Sequence, residues 1–352
     1  MRVLFDMGHP AHVHLFKNTI KKLKEDGHAI KITARNKEVT QTLLTAYGLE
    51  YEDRGKIFTG ILNKALGMIQ IDLKLLRIAK EFKPDILIGV SNPYVAHVGT
   101  VLRTPVIIFH DTENVPLARF YIYPFVQAIL TPMHFRESIN SKKHIKIQGL
   151  KEIAYLHPYY FFPDSRILED LGLRPGERFS IVRFVSWDAT HDIGQQGISD
   201  KIGLVKTLEH FGRVILSSEG NIPSEMKPYL TKIPPEKMHD LLSYAALYVG
   251  EGATMASEAA VLGTPSIFVS SLAGRFGNLI ELEETYDLLY SFTESNSALE
   301  KAVEILQDTK SKEIWLQKRE RLLKDKIDVT AFLIWFIKNY PGSMSKDWRN
   351  DV

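Results

Sequence analysis

Two periods of apolar spacing alternate along this chain. Short continuous apolar runs at Arg2–Asp6, Ala29–Thr33, Asp85–Val90 and Pro105–Phe109 predict strands buried on both faces. Between them apolar residues fall three and four apart, the spacing of a helix with one buried side. Leu15, Phe16, Ile20 and Leu23 share such a side in a helix predicted over His14–Asp26 and ended by Gly27. Glu38–Tyr47 is the next helix, closed by Gly48 and followed by a short apolar turn at Leu49–Tyr51. Ile69–Phe82 is a long amphipathic helix stopped at Pro84, and Val95–Leu102 a short one. Phe125–Leu130 and His144–Gln148 continue the strands. A connector rich in aromatics and proline, Lys151–Asp164, separates this series from a second. There the predicted strands are Phe179–Val185, Arg213–Ser217, Leu247–Val249 and Pro265–Val269. Helices are predicted over Ser165–Leu171, Gly203–Phe211, part of Pro235–Ala246, and Ala253–Leu262, and from Ser297 the chain is mostly helical to Tyr340. Strand–helix alternation played twice predicts an α/β fold of two domains, each a parallel sheet wrapped by helices, with ligands at the carboxyl ends of the strands. The 352 residues are long enough for two such cores, expected at 1–160 and 161–324.

Charge changes this picture. The net formal charge is only +2, but residues 1–160 carry 22 Lys+Arg against 14 Asp+Glu, a net +8, and residues 161–352 carry 22 against 28, a net −6. The basic half either complements the acidic one or faces an anionic partner such as a phospholipid surface or a lipid-linked acceptor. An apolar stretch in that half, Ile57–Ile71, reads either as core or as a surface for such a partner. No dense basic tract interleaved with aromatics occurs, so a nucleic-acid partner is not expected. The absence of cysteine excludes disulfides, thiolate metal sites and a cysteine nucleophile. No apolar run reaches the ~18–20 residues of a membrane span. Met1 leads straight into a strand, so a cytoplasmic protein is expected, peripheral at a membrane if its basic half meets lipid.

The strongest motif is Gly250-Glu251-Gly252-Ala253-Thr254-Met255-Ala256-Ser257-Glu258, followed by Ala259-Ala260-Val261-Leu262-Gly263-Thr264-Pro265. A buried strand runs through a small-residue loop into a helix of small residues. The start of that helix offers unpaired N–H groups and the positive end of a dipole, and Gly252 and Ala253 leave room for a diphosphate to touch the backbone. Thr254 adds a hydroxyl or caps the helix. Glu258, one turn on, has little packing reason to stand in an alanine-rich helix, and a carboxylate there accepts the hydroxyls of a ribose. The bland alternative is a close-packed helix with a solvated glutamate.

This segment resembles the nucleotide-sugar site of GT-B-type glycosyltransferases and of non-hydrolysing UDP-N-acetylglucosamine 2-epimerases. The whole chain resembles the family DUF354, which is itself similar to both groups. That likeness is carried by Phe5-Asp6-Met7-Gly8-His9-Pro10-Ala11-His12-Val13-His14 and by Lys151-Glu152-Ile153-Ala154-Tyr155-Leu156-His157-Pro158. The resemblance implies a GT-B-like fold of two Rossmann-like domains facing a cleft, with the last helices, 325–352, bracing the first domain. It also implies a diphosphate at Ala253, Thr254 and Met255 and a ribose at Glu258. The donor is then a nucleotide sugar, a UDP-sugar on the resemblance, and no other cofactor is expected.

Met7–His14 joins the first strand to the first helix and carries His9, His12 and His14. Metal binding, helix capping, and acceptor contact with acid–base chemistry all remain open for them. In GT-B enzymes of the peptidoglycan-precursor type the matching loop reads Gly-Gly-His-Val. Ala11-His12-Val13 resembles it and nominates His12 as catalytic, with His9 and His14 on the acceptor side. His110-Asp111-Thr112-Glu113 ends a strand and offers an imidazole and two carboxylates. In the 2-epimerases an acid–base cluster lies at a similar strand end, which nominates His110, Asp111 and Glu113; the alternative is a polar strand terminus. Asn92 is a candidate sugar contact. In the second half, Arg183, Ser218 and Asn278 are candidate donor contacts, with Trp187 and His191 weaker ones and the backbone of Lys237–Asp240 beside the base. No Asp-x-Asp pair occurs, which fits chemistry without a metal. The expected activity is glycosyl transfer, with sugar-nucleotide epimerisation and non-catalytic binding as the competing readings.

Overall fold

The structure is a computed structural model. It describes all residues except 37, 56–60, 114–117, 140, 175, 186–196, 221, 347 and 349–352. The chain divides into two compact units, Met1–Tyr155 with Ile327–Val352, and Leu156–Lys326.

The strands of the first unit are β1 (Arg2–Met7), β2 (Ala29–Ala34), β3 (Glu52–Asp53), β4 (Ile86–Val90), β5 (Val106–Phe109), β6 (Ala128–Pro132) and β7 (His144–Ile147). They form one sheet in the order β3-β2-β1-β4-β5-β6-β7, with every pair parallel. The chain winds outward from β1 to β3 and then returns to the other side of β1, so the order reverses between β1 and β4. A crevice forms at such a reversal because the two loops leave in opposite directions. Leu4, Leu87, Val106 and Ile108 pack with Leu75, Ile78 and Val95 in the buried core. The first helix, Pro10–Glu25, buries Val13, Phe16, Ile20 and Leu23, and the Phe5 and Phe16 rings meet at 5.2 Å. It begins four residues before the predicted start, because Pro10 stands at the first helical position and His9 caps it. The C-terminal helix Val329–Lys338 packs on it, and Thr330 Oγ1 and Asn18 Nδ2 both donate to the Ala154 carbonyl, at 2.7 and 2.9 Å.

The second unit holds β8 (Phe179–Phe184), β9 (Arg213–Ser218), β10 (Leu247–Gly250), β11 (Ser266–Val269) and β12 (Leu289–Phe292), ordered β12-β11-β10-β8-β9 and again all parallel. Here the reversal lies between β8 and β10. The pattern of apolar residues misses β12, an edge strand in which only Leu289 is buried, and so there is no continuous apolar run to read. Predicted Phe125–Leu130 becomes β6 three residues later, because Tyr123–Phe125 form a 3₁₀ turn. Among the described residues no helix is long and apolar enough to cross a membrane.

At the reversal in the first unit a buried carboxylate joins three strands. Asp6 of β1 accepts hydrogen bonds from Thr33 Oγ1 of β2 at 2.6 Å and from Asn92 Nδ2 just beyond β4. Asn92 also caps the helix Pro93–Leu102, its Oδ1 accepting from the Tyr94 N–H at 2.9 Å. Asn92→Ala removes both bonds and leaves a buried acceptor short of a donor. It should lower unfolding stability by about 2 kcal/mol or more, read from urea denaturation at pH 7.

Candidate functional site

In the second unit the site grows from the β8/β10 reversal. The register sets Gly250 beside Arg183 of β8 and Arg183 beside Ser217 of β9, so one row of residues crosses the carboxyl edge. Two glycines near that edge have different causes. A Cβ on Gly250 would lie 2.2 Å from Tyr248 Oη, so the buried phenol already fills the space. That hydroxyl has no hydrogen-bond partner, and burial pushes its pKa far above the ordinary value. Gly252 is different. Its φ of −98° suits any residue, and among the described residues a Cβ there would meet only Val185, at 3.6 Å. Neither backbone nor packing requires glycine at that point.

Gly252 heads the helix Ala253–Val261, which has no side-chain cap and no acidic residue in its first turn. Gly252, Ala253, Thr254 and Met255 are partly exposed, while Ala256, Ala259 and Ala260 are fully buried. The helix thus presents an open positive end on a packed body. Gly263, at φ +74°, ends it, with Thr264 N donating to the Ala259 carbonyl at 2.9 Å and Gly263 N to Ala260 at 2.9 Å.

Glu258 is not an open carboxylate. It is buried, and its Oε1 lies 3.1 Å from Nε2 of His239, itself buried on the helix Met238–Tyr244 and edge-on to Phe161. Both the solvated glutamate and the open diol receptor expected from the sequence give way to a buried pair, because the helix face that carries Glu258 turns inward. Arg183 is also engaged: its Nη1 donates to Ser217 Oγ and its Nη2 lies 2.5 Å from Glu219 Oε1. Glu219 is 51% exposed, so that contact is weak and readily exchanged for another anion. Ser218 Oγ donates to its own turn at the Gly220 carbonyl, at 3.0 Å. Asn278 stands partly exposed in the short helix Gly277–Ile280. Trp187 and His191 lie outside the described residues, as do residues 57–60 of the Ile57–Ile71 stretch.

Glu251 went unrecognised as a functional position. Its buried carboxylate accepts from the Val185 N–H at 2.9 Å and the Ile198 N–H at 2.8 Å, clasping the two ends of the segment after β8. An acid following a fully apolar strand was the available signal, since a buried carboxylate must find donors.

In the first unit the histidines part company. His9 Nδ1 accepts from the Ala11 N–H at 3.2 Å and caps the first helix. His14 is buried, stacked on Tyr155 with ring centroids 5.3 Å apart and edge-on to Tyr47, so it packs rather than lines the loop. His12 Nδ1 accepts from the Gly8 N–H at 3.2 Å, which puts the ring proton on Nε2 and makes the free edge a donor. Burial, aided by Lys151 and Arg54 and opposed by Asp111, pushes its pKa down to about 4. Among the described residues no three histidine or acidic side chains gather as a metal site.

His110, Asp111 and Glu113, in the loop beyond β5, each meet a different partner. His110 is fully buried between Tyr123 and Phe135, with Nδ1 2.5 Å from Ser91 Oγ. Glu113 is buried and accepts from the Arg136 N–H at 3.4 Å. Asp111 lies 2.5 Å from Lys151 Nζ. Burial raises its pKa, but Lys151 outweighs this and holds it below the carboxylate range. Asp111 is therefore the centre of the cluster, ion-paired with Lys151 and acting by its charge on both His12 and His110. Asn92, expected as a sugar contact, has its amide committed to Asp6 and to its helix.

A family model described as "Protein of unknown function (DUF354)" matches residues 1–331. The uncharacterized protein MJ0665 of Methanocaldococcus jannaschii is 23% identical over 325 residues, 87% of this chain and 94% of its own. The UDP-GlcNAc 2-epimerase of Neisseria meningitidis, solved bound to UDP-GlcNAc, matches with TM-score 0.64 at 12% identity over 96% of this chain and 100% of its own. A spinosyn rhamnosyltransferase complexed with thymidine diphosphate matches with TM-score 0.62 at 15% identity over 96% and 100%. At these identities the likeness shows the fold, a GT-B-type architecture with a parallel α/β unit in each half.

Two outcomes follow from this geometry. Gly250→Ala should cost about 1–3 kcal/mol by driving a methyl into Tyr248, whereas Gly252→Ala should leave stability within about 0.5 kcal/mol, both read from urea midpoints. The depressed pKa of His12 means the unfolded chain binds its proton first as pH falls. Its contribution is complete above pH 6.5 and drains away toward about 4. His12→Gln should therefore lose less stability than the unmodified protein between pH 7 and pH 5.

Proposed function

The chain belongs to the DUF354 family, and on that premise we propose that it is a nucleotide-sugar-dependent glycosyltransferase of GT-B type, working without a metal. The observation that carries the reading is Gly252, a glycine that neither its φ nor packing among the described residues demands, heading an uncapped helix at the strand-order reversal of the second unit. A diphosphate there is met by the N–H groups of Ala253, Thr254 and Met255. That two proteins of the same fold have been solved with UDP-GlcNAc and with thymidine diphosphate supports a nucleoside diphosphate as ligand.

In this reading an acceptor hydroxyl attacks the anomeric carbon as the bond to the diphosphate breaks. The electron pair leaves on the diphosphate, where the helix end and Arg183, released from Glu219, stabilise the charge. The acceptor is assigned to the first unit. Asp111, kept ionised by Lys151, is the group there that takes the hydroxyl proton, and His12, with Nε2 protonated, donates to an oxygen instead of serving as base. Glu258, buried against His239, braces the helix beneath this seat and is given no contact with the ligand.

The test begins with melting-point shifts against UDP-, GDP-, CDP- and dTDP-sugars. Gly252→Val, which fills the proposed seat, should abolish the shift produced by the binding sugar nucleotide while leaving the unliganded melting point near that of the unmodified protein. Incubation with the binding donor and candidate acceptors should then release nucleoside diphosphate. Exchange of solvent deuterium into C2 of the sugar without such release would replace transfer by epimerisation. Binding with neither reaction would leave a nucleotide-sugar-binding protein. No shift with any donor would overturn the reading altogether.

A further inference from the structure

The carboxyl edge of the first unit holds a second concentration of unsatisfied donors that the proposed chemistry does not use. Because β1, β2 and β3 are adjacent and parallel, the residues that follow them, Gly8, Arg35 and Arg54, leave the sheet on the same edge. Two backbone bonds tie these ends together: Arg35 N donates to the Met7 carbonyl at 2.9 Å and Arg54 N to the Ala34 carbonyl at 2.9 Å.

Arg54 is 3% exposed. Its Nε lies 2.7 Å from Asp6 Oδ1, an ion pair by distance whose N–H is not aligned as a hydrogen bond. The guanidinium lies 4.6 Å from the centre of the Tyr94 ring. Its Nη2 abuts the first loop, where a Cβ on Gly8 would come within 3.1 Å. Its Nη1 is buried and has no hydrogen-bond partner among the described residues. Arg35 is partly exposed, yet its Nε is also buried and unpartnered. Burial first, and then the charge of Arg54, lower its pKa.

Among the described residues the carboxylates nearby answer this charge only in part. Asp6 already receives Thr33, Asn92 and Arg54. Asp72, whose field reaches Arg54, pairs with His97 through Oδ2 at 2.9 Å, and its Oδ1 has no partner among the described residues. Asp53 accepts from the Gly55 N–H at 2.7 Å and from Asn36 Nδ2 at 3.2 Å. Among the described residues, two guanidinium groups whose charges act on one another thus keep buried N–H groups without a hydrogen-bond partner beside Asp6, a carboxylate already engaged. Guanidinium donors matched to a tetrahedral or forked oxyanion are the usual complement of such an arrangement.

We infer that Arg35 and Arg54, at the ends of β2 and β3 beside Gly8, form a phosphate-binding site, and that the acceptor handled by this unit carries a phosphate group. The partly exposed Arg35 provides the opening and Arg54 the buried wall. The net +8 of residues 1–160 draws such a ligand in. The inference rests on the transferase reading only for the word acceptor; the site itself stands on the first unit alone.

The full-length protein is titrated calorimetrically with inorganic phosphate and glycerol 3-phosphate, and co-sedimented with phosphatidylcholine vesicles with and without phosphatidic acid. A phosphate probe should bind, and Arg35→Gln should weaken it about tenfold or more. Arg54→Lys, which keeps a cation beside Asp6 but loses the planar fork, should weaken it similarly while melting as a folded protein. Binding only to phosphatidic acid vesicles, abolished by Arg35→Gln, places the phosphate on a lipid; binding of glycerol 3-phosphate alone places it on a soluble acceptor. Failure of every phosphate probe to bind, or equal binding by Arg35→Gln, overturns the inference. Sugar-nucleotide binding is measured on the same variants and should be unchanged. Its absence from the unmodified protein would count against the transferase reading and leave this site standing.

Discussion

A carboxylate removed from water at the end of a parallel strand must be surrounded by donors, and each unit of this protein is organised around one. In the first unit it is Asp6, which gathers Thr33, Asn92 and Arg54 from three neighbouring elements. In the second it is Glu251, which clasps Val185 and Ile198 at either end of the segment after β8. Both acids stand where the strand order reverses, the place at which the loops diverge and a crevice opens. Losing either would strand several buried donors at once, so these acids hold the loops in position rather than react.

With the loops so held, small residues define where a ligand has room. Gly250 is small because the phenol of Tyr248 occupies the space, whereas Gly252 is small without any demand from its own fold. The two look alike in the sequence and differ in cause, and only the second is evidence for a ligand. The helix it heads is rigid beneath, with Ala256, Ala259 and Ala260 sealed against the sheet, and open at its tip. A fixed dipole on a packed support needs no rearrangement to meet negative charge, which is how such helix ends serve phosphate.

The first unit spends its histidines differently from a cluster of bases. One caps, one packs, and one has its ring proton directed outward by a backbone N–H. Its ionisable chemistry gathers instead on Asp111 and Lys151, which come from distant parts of the chain. At the ends of β2 and β3, Arg35 and Arg54 keep donors unpartnered among the described residues. A unit rich in cations whose carboxylates are already engaged is suited to an anionic partner.

Local pattern was sufficient for the fold. Runs and spacings of apolar residues set out two series of strands and helices, and parallel sheets followed because helices must cross between strands. The helix after Gly252 was equally legible, since an uncapped start after a buried strand is written in neighbouring residues. Partners were not legible. Glu258 was read as open because an acid in an alanine-rich helix has no local partner; His239, which takes it, arrives from a separate helix. Lys151 reaches Asp111, and Arg54 reaches Asp6, across separations that periodicity does not encode. His110, Asp111 and Glu113 are close in sequence yet meet different partners, Ser91, Lys151 and the Arg136 N–H, because beyond β5 each is met by a different segment of the first unit. Short-range spacing governs which element forms and which side it buries, whereas the charge each side chain meets depends on which distant strands the packed sheet brings alongside.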